Sequence, residues 1–107
     1  MNRFVILAHD WPEPHFDLLL ESGSVLRAWR LRGEPGDGSV PAEPNADHRL
    51  LYLDYEGPVS GGRGTVTRWD AGTFEMIVEA ATALLELHGT RLTGLFVLGA
   101  GRFGRSA

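Results

Sequence analysis

The chain has no cysteine and no lysine among its 107 residues. Without cysteine there is no disulfide and no thiolate metal site. Without lysine, all ten basic residues are arginines. Genomic base composition is the bland reading of that bias, but its consequence is chemical: any phosphate contact here can use a planar, permanently charged fork. Long apolar runs are missing too. The stretch Phe4–Ala8 is far too short for a signal core or a membrane span, so the expectation is a cytoplasmic protein, with a monomer as the default state. Strong basicity is also absent. A formal net charge of −4 excludes a broad, sequence-independent nucleic-acid surface. It still permits a grip on one strand end, which needs only a few local cations.

What is present is the composition of one globular domain, residues 1–107, with 43% hydrophobic and 22% charged residues. Glycine and proline punctuate it into strand-sized pieces. Phe4–His9, His15–Glu21 and Val25–Leu31 read as strands, and residues 33–46 as a polar excursion without regular structure. Arg49–Tyr55 resumes an alternating pattern, and Ser60–Gly64 is a glycine-rich turn. Thr65–Asp70 and Thr73–Val78 read as a hairpin about Ala71-Gly72. Thr82–His88 and Arg91–Leu98 form the last pair, ahead of an Arg/Gly tail expected to fray. Phe74–Leu87 also suits an amphipathic helix, but its flanking glycines favour two strands. The fold class is therefore all-β, or β-rich α+β: a single antiparallel sandwich or barrel of seven or eight short strands.

The chemistry concentrates in His9-Asp10-Trp11-Pro12-Glu13-Pro14-His15-Phe16-Asp17. Strand side chains alternate faces, so His15 and Asp17 point the same way. A turn over residues 10–14 brings His9 beside them. A lone strand histidine is ordinarily a surface residue; three convergent donors are a different matter. Two imidazoles and a carboxylate suit Mn²⁺, Fe²⁺ or Zn²⁺ and leave positions open for water or substrate.

His48 and Tyr52, four residues apart, share a face of either a strand or a helix, and such a pair can bind an oxyanion or protonate a leaving oxygen. Arg30 and Arg32, flanking Leu31 beyond Trp29, read as sharing a face that can hold phosphate bidentately, although a solvated strand face is the commoner reading. Gly99-Ala100-Gly101-Arg102-Phe103-Gly104 spells G-x-G-x-x-G, but too little chain follows for the βαβ unit that a dinucleotide site requires.

These residues resemble the 3′-phosphoesterase domain of the bacterial ATP-dependent DNA-repair ligase D family, which also exists as free-standing small proteins. That family opens with a strand ending in His-Asp and continues His-Tyr-Asp-Phe-Arg-Leu-Glu. Here the same blocks read Phe4–Asp10 and His15-Phe16-Asp17-Leu18-Leu19-Leu20-Glu21. Gly23–Trp29, Asp47-His48, Tyr52–Gly57, Trp69–Glu75 and Leu87–Gly94 follow the family in order. The resemblance implies a compact β-barrel with a metal-binding concave face. It implies removal of phosphate or a terminal ribonucleotide from DNA 3′ ends with Mn²⁺, in end joining beside ligase and polymerase partners. It assigns His9, His15 and Asp17 to the metal, and His48 and Tyr52 to the scissile phosphate. Arg32 aligns, across a one-residue gap, with a family basic residue.

Three departures stand against full equivalence. The family arginine two positions after the metal-binding aspartate is Leu19, the family's polar lead-in before the first strand is expected to be missing, and the Gly-Glu-Tyr-Gly loop is shortened to Ser60–Gly64. Arg30, Arg32 or Arg63 would have to replace the lost arginine. The readings are thus a metal-dependent phosphoesterase or a relative that binds metal, an anion or a nucleic-acid end without turnover. The two-histidine, one-carboxylate set also occurs in non-haem iron oxygenases, whose distal histidine comes much later in the chain.

Overall fold

Apolar runs that can bury one face supply the strands, and the strands close on themselves. The computed structural model describes residues 2–106. In chain order the strands are β1 (Asn2–His9), β2 (His15–Ser22), β3 (Val25–Leu31), β4 (Val40–Arg49), β5 (Gly57–Pro58), β6 (Thr65–Val78), β7 (Ala83–Gly89), β8 (Thr93–Gly99) and β9 (Arg102–Arg105). A 3₁₀ turn, Leu50–Leu53, follows β4. The order β1-β2-β3-β4-β9-β8-β7-β6 returns to β1, with every neighbour antiparallel. Eight strands therefore form a closed barrel, which leaves no long free edge. Because β7 pairs with β6 only from Gly72 to Val78, β5 can take the edge at Val66 and Thr65.

Alternation sorts the side chains into two clusters. Phe4, Ile6, Leu18, Leu20, Leu85, Leu87, Phe96 and Phe103 fill the barrel interior, so it is a packed core and not a ligand cavity. Phe96 and Phe103 stack at 5.3 Å; truncating either to alanine should cost about 3–5 kcal/mol. The opposite faces of β1, β2, β3 and β6 carry Val5, Leu7, Leu19, Leu26, Ala28 and Val66, which pack with Leu53 and are flanked by Tyr52, Tyr55 and Val59. The segment after β4 thus lies over the outside of the barrel, and this second layer forms one wall of the site.

Four sequence expectations give way here. Residues 33–46 are not wholly irregular, because β4 begins at Val40. Its prolines are tolerated: Pro41 keeps its carbonyl, which accepts the Arg32 N–H, and beyond Pro41 β4 pairs only with β3. Leu50–Leu53 is a 3₁₀ turn instead of a strand, since the chain must bend to lay Leu53 on the outer cluster. Ala71-Gly72 is no hairpin. β6 runs through it, and Gly72 is required by close approach, as a Cβ there would lie 2.0 Å from the His88 carbonyl oxygen. The tail is β9, anchored by buried Phe103 and paired with both β8 and β4.

Candidate metal centre and anion cleft

The β1–β2 ladder sets His9 opposite His15, with Asp17 two residues further along β2 on the same face. One ligand atom from each of the three lies within 4.8 Å of the others. His15 and Asp17 are buried and His9 is half-buried. His9 Nδ1 is 3.1 Å from Asp17 Oδ2, and His15 Nε2 is 3.1 Å from Asp17 Oδ1.

The far nitrogen of each ring is committed elsewhere. His9 Nε2 donates to the Arg63 carbonyl at 2.8 Å, and His15 Nδ1 to the Glu13 carbonyl at 2.9 Å. A carbonyl only accepts, so these bonds assign the ring protons to the outer nitrogens. Two imidazole lone pairs then face a carboxylate that also offers only lone pairs. Such a donor set fits a divalent cation between them, with the outer hydrogen bonds fixing tautomer and ring orientation.

The loop between the histidines is held from below. Asp10 Oδ1 accepts the Thr65 N–H at 2.7 Å. Gly64, at φ +77°, lies so close that a Cβ would sit 2.2 Å from Asp10 Oδ1 and 2.5 Å from Trp11 Cβ. Only glycine meets both the left-handed backbone and the space.

Beside the triad opens a cleft of about 390 Å³ whose lining includes His9, Asp17, Arg30, His48, Tyr52 and Arg63. Trp11 and Arg49 also line it, and its three arginines face two aspartates. The cleft is therefore locally cationic on a protein of negative net charge.

Arg30 stands opposite Asp17 in the β2–β3 register, and its Nε is buried without a hydrogen-bond partner among the described residues. His48 Nδ1 donates to the Ala46 carbonyl at 2.9 Å, leaving Nε2 for another partner. Its ring meets Tyr52 edge-on at 5.8 Å, and Tyr52 in turn meets Tyr55 at 5.7 Å. Arg63 folds over its own turn, donating to the Ser60 carbonyl at 2.7 Å.

Most of the residues expected from sequence converge here, but Arg32 does not. β3 ends at Leu31, so alternation no longer governs Arg32, and its guanidinium turns to Glu43 and lies 3.8 Å from Glu13. The Arg32 hydrogen bond and charge hold the exposed Glu43 carboxyl below its usual range. Leu19 is fully buried in the outer cluster, so position 19 contributes no polar group to the cleft.

A sequence profile of the DNA ligase D 3′-phosphoesterase domain matches residues 7–99. The chain belongs to this family. The matched span holds the whole triad and every residue named in the cleft. No curated protein matches the chain.

The carbonyls of Glu13 and Arg63 that hold the two rings leave no trace in the sequence, because backbone partners give no signal in residue type. For Trp11 the only sequence hint is its place in a proline-containing turn. Asp70 was read only as part of a motif. Its carboxylate accepts the N–H groups of Ala71, Thr90, Arg91 and Leu92 at 2.8–3.1 Å, which pins the β7–β8 turn to β6.

Proposed function

We propose that this domain is a metal-dependent phosphoesterase that removes a 3′-phosphate or a terminal 3′-ribonucleotide from DNA ends in repair. Manganese is the ion of choice, with zinc as the alternative. The observation that carries the reading is the convergence of His9, His15 and Asp17 beside a cationic cleft. When bound, the ion would supply Lewis-acid polarisation of a phosphoryl oxygen and a more acidic water.

The chain's own residues supply the rest. Arg30, whose buried Nε is unpartnered, is placed to fork onto the phosphate. Arg63 adds positive charge at the cleft wall. His48, when protonated at Nε2, donates to the leaving sugar oxygen, and the Tyr52 hydroxyl orients a phosphate oxygen. The partner is a DNA or RNA-tailed DNA 3′ end, presented alongside ligase or polymerase proteins in the cytoplasm. Among the described residues, no helix is long and apolar enough to cross a membrane.

The test is manganese-dependent release of phosphate from a 3′-phosphorylated primer, and of a terminal ribonucleotide from an RNA-tailed one. His15→Ala should abolish both. If manganese-loaded protein releases neither and His15→Ala behaves as wild type, the reading is wrong. End binding without turnover would select the non-catalytic relative, which the burial of Leu19 favours.

A further inference from the structure

The three tryptophans of this chain are treated differently by the fold. Trp29 and Trp69 pack against the barrel core and are each covered by an arginine, Arg27 at 5.0 Å and Arg91 at 4.6 Å. Trp11 is 42% exposed, and among the described residues it has neither an aromatic nor a cationic partner. It nonetheless lines the cleft that holds Arg30, Arg63 and the triad. Its backbone is held by the Asp10–Thr65 hydrogen bond and the close approach of Gly64. An exposed indole on an anchored loop, at the edge of an anion cleft, presents a ready-made stacking surface.

We propose that Trp11 is the platform on which the unpaired terminal nucleobase of the bound strand stacks. The inference rests on the phosphoesterase reading, and extends it from the phosphate to the nucleoside that carries it. The loop joins two of the metal-facing histidines, so a phosphate lying against His9 leaves its nucleoside beside residue 11. Stacking on an aromatic face accepts any base, since every base has a π-face. The ligand class is thus a nucleotide end of unrestricted sequence.

The experiment measures equilibrium binding of manganese-loaded protein to single-stranded oligonucleotides. Four ends are compared: with and without a terminal base, each with and without a 3′-phosphate. Wild type should bind the base-bearing ends roughly five- to a hundredfold more tightly than the abasic ends. Trp11→Leu, which keeps apolar bulk without a π-face, should lose that difference, and Trp11→Phe should keep part of it. Equal melting temperatures establish that the variants are folded, and the pair of variants makes the result independent of either one.

A base preference that survives in Trp11→Leu, or is absent from wild type, overturns the role of Trp11. Ends that bind equally with and without 3′-phosphate overturn the phosphate reading instead. The base comparison still decides Trp11 in that case.

Discussion

Arg30 and Asp17 are direct partners across the β2–β3 ladder, yet the carboxylate oxygens of Asp17 face His9 and His15, each 3.1 Å from a ring nitrogen. The buried Nε of Arg30 is left without a partner. A buried donor on a charged group is costly to leave unpaired. Arg30 also lines the cleft, so on the phosphoesterase reading an entering anion would meet its guanidinium.

Replacing Arg30 with methionine should therefore weaken binding of a 3′-phosphorylated oligonucleotide by about 1.5–3 kcal/mol, roughly ten- to a hundredfold. Its melting temperature should hold or rise, because an unsatisfied buried donor has gone. Arg30→Lys should restore only part of the affinity, having charge without the fork. Unchanged affinity in Arg30→Met would remove this residue from the site. Titration calorimetry and thermal melts supply both numbers.

Metal should stabilise the fold. Manganese at a hundred times its dissociation constant should add about 2.7 kcal/mol to unfolding free energy, and a chelator should reverse the gain. His15→Ala and Asp17→Ala should show no such rise. A wild-type melting temperature indifferent to manganese, zinc and chelator alike would count against the metal centre.

Asp70 should matter to stability and not to metal. Asp70→Ala strands several inward-facing N–H groups of the 90–92 turn and should cost about 3 kcal/mol or more. Urea unfolding measures the loss. Gly72→Ala should be comparably damaging, since its Cβ would collide with the His88 carbonyl.

The link between β1 and the segment over the barrel should show in acid. Arg3 donates to Asp54 at 2.6 Å, and that hydrogen bond holds the Asp54 carboxyl below its usual range. A depressed folded-state value means the stabilisation is present at neutral pH and is lost as pH falls through it. Asp54→Asn should thus be less stable than wild type at pH 7, with the gap closing below the ordinary carboxylate range. Both side chains are exposed, so the gap should be small and should shrink with added salt. A gap that grows toward acid would contradict the assignment.

His9, His15 and Asp17 were legible in the linear sequence because their geometry is local: a two-residue strand period and one short turn bring them together. The strand content was legible for the same reason, through apolar runs between turn residues. Gly72 was misleading. Glycine marks either a turn or a close approach, and only the neighbouring β7 strand shows that it is the second. The tail looked loose because β9 draws its stability from β8 and from β4, far away in sequence.

Among the arginines, sequence could nominate Arg30, Arg32 and Arg63 as replacements for the missing charge at Leu19, but not choose between them. Where β3 ends sets Arg32 apart, turned to Glu43, while Arg30 beside Asp17 and Arg63 both line the cleft. Residue type and strand period alone determined the donor set. That His48, Tyr52 and Arg63 join it was decided only by the tertiary structure, because they come from segments far from the triad in the chain and meet it through the closed barrel.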